Sequence, residues 1–151
     1  MDMAKFDAII EQIDNTMNHW LRKNNFTARS EGLIDDFAWR YTTDTIGYTF
    51  LANQEADDAF KALFYEELDC HYDIGVFWMS WLHELGHSET WDMIKNTDFK
   101  SVPMDLDSYL RCYREIIASK WAVWYVNNHI DTLLELVREV DILRHELYNL
   151  F

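Results

Sequence analysis

Only four glycines and one proline punctuate the 151 residues of this chain. Turn-rich β architectures and flexible linkers both depend on those two residue types, so their scarcity restricts the chain to long helices joined by short connections. The length is that of a single domain spanning 1–151, large enough to bury a sizeable core. Seven tryptophans, eight tyrosines and nine phenylalanines give that core its bulk.

Periodicity supplies the helices. Phe6, Ile9, Ile10, Ile13, Met17, Trp20 and Leu21 recur at helical spacing across residues 3–24. Residues 54–68 predict a second helix, and an apolar run from Gly75 to about Ser88 predicts a third. Asn96, Thr97, Asp98 and Pro103 mark a loop before a fourth helix over 105–129. A fifth covers 131–149, with Leu133, Leu134, Val137, Val140, Leu143 and Leu147 as its apolar positions. Around residues 36–51 the period drops to two: Phe37, Trp39 and Tyr41 alternate, then Ile46, Tyr48 and Phe50 after "TTDT". A short β-hairpin accounts for this pattern, with another helical stretch as the competing reading. The expected class is α+β, predominantly helical.

A formal charge of −14 argues against a nucleic-acid ligand, whose phosphates need clustered Lys and Arg, and against an anionic membrane surface. Acidity alone names no partner. The N-terminal "MDMAKFDAIIEQID" places acidic residues where a secretory signal has basic ones, and no run approaches a transmembrane length. Cys70 and Cys112 do not make a disulfide framework. A cytoplasmic protein with free thiols is expected.

The chemistry concentrates in "MSWLHELGHSETW", residues 79–91. On a helix His83 and His87 lie one turn apart and project from one face, a spacing that suits two ligands of a tetrahedral zinc. Glu84 lies about 100° round the helix, placed to accept a proton from a water activated by the metal. Two buried histidines beside a glutamate call for a cation. Gly86 costs about 1 kcal/mol relative to alanine in a helix interior, which makes sense if another backbone packs closely there.

"HELGH" on an apolar helix resembles the active-site helix of the zincin metallopeptidases. The compact size is similar to their small intracellular members, including the ImmA/IrrE-like group of phages and mobile elements. The resemblance covers about forty residues, from His83 to Ala122. In its gluzincin branch a glutamate on a second helix supplies the third protein ligand, completing the three that catalytic zinc needs beside an open position. Glu89 lies about 200° round from His87 and points away. Glu115, in "YREIIASKWAVWY", is the better candidate. Cys112, Ala118, Ser119 and Ala122 share its face, a narrow stripe that lets two helices approach opposite Gly86, whereas Tyr109, Tyr113, Trp121 and Trp124 lie elsewhere on the helix. The spacing E-x-x-A-x-x-x-A resembles the glutamate helix of small gluzincins. Larger gluzincins carry, four residues after the glutamate, an aspartate that orients a ligand histidine; Ser119 stands there in this chain, so that orientation is expected from elsewhere or in weaker form.

The resemblance implies a minimal zincin-like domain and a zinc-dependent metallohydrolase, an intracellular peptidase acting on peptide or protein substrates through a zinc-activated water. Zn²⁺ would be held by His83, His87 and Glu115, with Glu84 as the base. His71, Tyr72, Tyr113 and Tyr125 are all available to polarise the substrate carbonyl. By analogy with zincins, the edge of the hairpin at 37–51 would take an extended peptide by strand addition. Two alternatives stand beside this. An acidic protein-interaction module of phage or mobile-element type could keep the shell without turnover, and such a binder has no need of Glu84. A structural metal site would close with a fourth ligand, for which His71 is the candidate. Cys70 beside His71 could suggest a further metal pair, but adjacent residues in a strand point apart.

Overall fold

The computed structural model describes residues 1–51, 53–95 and 112–151. The loop expected at 96–103, the 105–111 portion of the fourth helix and Tyr109 lie outside them. Among the described residues five helices and one three-stranded sheet make an α+β, predominantly helical fold, as composition and periodicity predict.

Helix α1 (Met3–Lys23) starts where the Asp2 carboxylate accepts from the Lys5 N–H at 3.1 Å. It closes with Arg22 and Lys23 in its last turn, where cations favour the helix dipole. All seven of its predicted apolar positions are buried. A fully buried side chain of this size contributes roughly 1.5–3 kcal/mol, so this stripe, more than helix propensity, holds α1 in place. Its partner is the last helix, α5 (Ile130–Tyr148), which buries Leu133, Leu136, Val137, Val140 and Leu147. The Trp20 indole N–H donates to the Thr132 carbonyl at 3.1 Å and fixes the two helices in register.

The expected hairpin is present. Strand β2 (Ala38–Arg40) pairs antiparallel with β3 (Thr45–Gly47), Trp39 opposite Ile46. Asp44 closes the turn at φ 49°, a left-handed conformation that aspartate tolerates better than most residues. Strand β1 (Arg29–Glu31), which no sequence pattern predicts, adds parallel to the other side of β3. The order is therefore β1-β3-β2, with β3 central and wholly buried and β2 at an edge.

Helix α2 (Gln54–Lys61), capped by Asn53, passes into one π-helical turn (Ala62–Glu67) that buries Leu63 and Phe64. The single helix predicted over 54–68 is thus two wound differently. Helix α3 (Val76–Ile94) follows Gly75, whose φ of +89° suits glycine. It outruns its expected end near Ser88 because Thr90 and Ile94 continue the buried face. From Trp78 to His87 every residue is buried, the mark of a helix surrounded on all sides. Helix α4 (Tyr113–Asn128) covers one flank of α3, and β2, β3 and α2 cover others. The buried indoles are satisfied: Trp78 donates to Asp141 Oδ1 at 2.9 Å and Trp81 to Ser30 Oγ at 3.0 Å.

Candidate metal centre

One atom ties the two central helices together. Glu115 Oε1, from the first turn of α4, lies 2.9 Å from His83 Nε2 and 3.0 Å from His87 Nε2 on α3. All three side chains are buried. The approach depends on small residues, as their spacing predicts. A Cβ added at Gly86 would lie 2.5 Å from the Ala118 carbonyl oxygen, so only glycine fits at this crossing. Ala118, Ser119 and Ala122 are fully buried on the facing side of α4. Cys112 is not part of that stripe, because it precedes the first helical residue as the cap.

The orientation expected from elsewhere comes from Ser119 itself, whose Oγ lies 2.8 Å from His83 Nδ1. A hydroxyl both donates and accepts. With Nδ1–H donating to it, His83 would turn its Nε2 lone pair toward the Glu115 oxygen, where a bound cation could bridge the two; without one, their 2.9 Å separation is that of a hydrogen bond. Phe60 of α2 packs edge-on against the His83 ring at 5.6 Å and closes the back of the site.

Charge follows from these contacts. Burial pushes the Glu115 carboxyl up, but hydrogen bonds to His83 and His87 outweigh it and hold the group well below the usual carboxylate range. Burial pushes the His87 imidazole down, and the Glu115 hydrogen bond with the Glu84 and Glu115 charges reverses this, leaving it above its ordinary value. Glu84 differs from both. Burial raises its carboxyl, and the nearby imidazoles only partly offset that. No hydrogen bond holds it among the described residues; His83 Nε2 lies 3.9 Å from its Oε1.

These three residues could hold a metal ion. Two ligand atoms about 2.0–2.1 Å from one tetrahedral centre stand about 3.3 Å apart; the two nitrogen–oxygen separations here are 2.9 and 3.0 Å, and all three ligand atoms lie within 4.8 Å of one another. Two imidazoles and one carboxylate leave a tetrahedral position open. Glu84, His87 and Glu115 all line a cleft of about 590 Å³, while His83 lies behind. The Trp39 ring lies nearly parallel to the His87 ring at 6.2 Å.

The other anticipated residues lie elsewhere. Glu89 is exposed, as its angle predicts. His71 is exposed, paired with Asp69 at 3.4 Å, and is not part of the cluster, so the closed structural site loses its fourth ligand. The Cys70 thiol lies 3.5 Å from the Tyr72 carbonyl oxygen, and both cysteines are free. Tyr72 and Tyr113 are exposed, and Tyr125 is buried between Trp121 and His129, its phenol raised to about 12 by burial. None of these four candidates for carbonyl polarisation is among the described residues lining the cleft; the cationic ones there are Arg114 and Lys95. Arg114 Nε lies 3.8 Å from Glu115 Oε2.

Two residues without any anticipated role support the centre. Asp44 Oδ1 accepts from Ser88 Oγ at 2.6 Å and from the Trp39 indole at 2.8 Å, while its Oδ2 accepts from Thr27 Oγ1 at 2.7 Å. It thereby fixes the hairpin to α3 one residue past His87 and sets the Trp39 ring. The signals available were a carboxylate inside "TTDT" and a tryptophan in an alternating run. No protein-family model, curated protein or solved structure matches this chain.

Proposed function

We propose that the protein is a zinc-dependent hydrolase of zincin-like type, with peptides as substrates. His83, His87 and Glu115 would hold the ion and Glu84 would act as general base. The observation that carries this reading is the convergence of both Nε2 atoms on one Glu115 oxygen, at 2.9 and 3.0 Å, beside the buried Glu84 carboxylate, which has no hydrogen-bond partner among the described residues.

When bound, zinc supplies Lewis-acid polarisation and lowers the pKa of water. The remaining steps belong to the chain. Glu115 stays ionised in a buried setting and so offers an anionic ligand. Ser119 fixes the His83 ring. Glu84, its carboxyl raised by burial, is a stronger base than an exposed glutamate and faces the cleft where a substrate carbonyl would enter. Arg114 and Lys95 bring positive charge to the same cleft, where negative charge develops on a carbonyl oxygen under attack. Phe37, Ala38 and Trp39 also line it, and β2 is an edge strand among the described residues, the kind of edge to which an extended peptide can add.

The test is Glu84→Gln. Zinc content and folding should survive, while cleavage of a mixed peptide library, read by mass spectrometry, falls by about a hundredfold or more. Loss of zinc from this variant would make Glu84 a ligand and overturn the roles. A zinc-loaded wild-type protein that cleaves nothing would favour the acidic interaction module.

A further inference from the structure

An aromatic ladder runs from the molecular surface to the centre. Tyr41 lies nearly parallel to Trp91 at 5.3 Å, Trp91 leans on Trp39 at 5.3 Å, and Trp39 lies parallel to His87 at 6.2 Å. Folding does not account for its outer end, since Tyr41 is 63% exposed. Nor is the inner end free to adapt, because the Trp39 indole is held by Asp44, which is itself held by Ser88 and Thr27. Rigid aromatic rings offer large apolar contact area at little cost in conformational entropy, which is the property of a recognition surface. The cleft they line is also lined by Glu84 and His87, and its volume of about 590 Å³ exceeds that of one side chain.

We propose that Trp39, Tyr41 and Trp91 form a subsite for a large apolar side chain, above all an aromatic one, flanking the bond that is cut. This rests on the reading of the neighbouring cluster as a hydrolytic centre. It assigns the substrate class: peptides with phenylalanine, tyrosine, tryptophan or a long aliphatic residue beside the scissile bond, and discrimination against small polar residues at that position. Filling an apolar subsite with a ring in place of a hydroxymethyl group should be worth roughly 10–100-fold in affinity.

The experiment uses zinc-loaded full-length Glu84→Gln, which holds substrate without turnover. Binding of acetyl-Gly-Gly-Phe-Gly-Gly-amide and of the same peptide with serine in place of phenylalanine is measured by calorimetry, with zinc content determined on each sample. The phenylalanine peptide should bind about tenfold tighter or more. Adding Tyr41→Ala, an exposed position that folding does not need, should remove most of that preference with zinc retained; Trp91→Ala should do the same. Equal affinity for the two peptides, no binding of either, or a preference that survives both substitutions overturns the subsite. The two readings fail separately: zinc retained without discrimination sinks the subsite alone, whereas discrimination by protein that takes up no zinc keeps the subsite and sinks the hydrolase.

Discussion

A carboxylate as deeply buried as Glu115 stays ionised because two imidazoles face it at 2.9 and 3.0 Å. The pair it forms with His87 has a definite pH signature. His87 is raised from 6.5, so its share of stability is complete below that value and is lost as pH rises through the folded pKa. Glu115 is lowered from 4.5, so its share is complete above that value and is lost as pH falls through the folded pKa. Metal-free protein should therefore draw most from this pair between pH 4.5 and 6.5, as denaturant midpoints across pH would record. Zinc must displace the His87 proton, so its affinity should rise with pH and its binding should release protons, measurable by competition titration in buffers of different ionisation heat. Ser119→Ala leaves His83 Nδ1 without its partner and should weaken zinc about 10–100-fold. Glu115→Ala should cost more than that, and Glu89→Ala almost nothing. A zinc affinity indifferent to Ser119 would mean that the His83 ring is set by packing against Phe60 alone.

Helix α3 meets α4 through glycine, and the usual effect of filling a helical glycine is inverted there. Gly→Ala in a helix interior ordinarily gains about 0.5–1 kcal/mol. With a Cβ 2.5 Å from the Ala118 carbonyl oxygen, Gly86→Ala should instead cost about 1–3 kcal/mol and weaken zinc by parting Glu115 from the histidines. Urea unfolding of the metal-free variant reads the first effect and zinc competition the second; a gain in stability would contradict this packing. That crossing was legible in the sequence because helical spacing places Glu115, Ala118, Ser119 and Ala122 on one face, and a face of small residues says where a neighbour comes close. Strand β1 was not. Its three residues are polar at both ends, and Ser30 at its middle is fixed by Asn18, which accepts from the Ser30 N–H at 2.7 Å and donates to its carbonyl at 2.9 Å. A bond between side chain and backbone across two elements leaves no local periodicity. Asp44 was hidden for the same reason: its partners Thr27, Trp39 and Ser88 come from three separate stretches of chain.

Across the whole molecule, a wheel and a spacing identify which face a residue occupies but not how deep it lies or which cleft it meets. Tyr125 and His71 were equally eligible partners for a substrate carbonyl on type alone; packing buries one between rings and leaves the other exposed beside Asp69. The cluster of His83, His87 and Glu115 could be named because its members sit on two long helices, where geometry is most regular. No described helix is long and apolar enough to cross a membrane. Binding to the native state alone should stabilise the fold by about 2.7 kcal/mol at zinc one hundred times its Kd. For a domain of this size that is about 5–10 °C in Tm, which a chelator should reverse in a thermal scan. The central claim is that His83, His87 and Glu115 share one metal ion, and anomalous diffraction at the zinc edge from zinc-loaded crystals tests it most directly. One peak per chain is predicted, about 2.0–2.2 Å from both Nε2 atoms and from a Glu115 oxygen. Contradiction would be a map with no peak there, the three side chains still hydrogen-bonded to one another at 2.9 and 3.0 Å as they are without the ion.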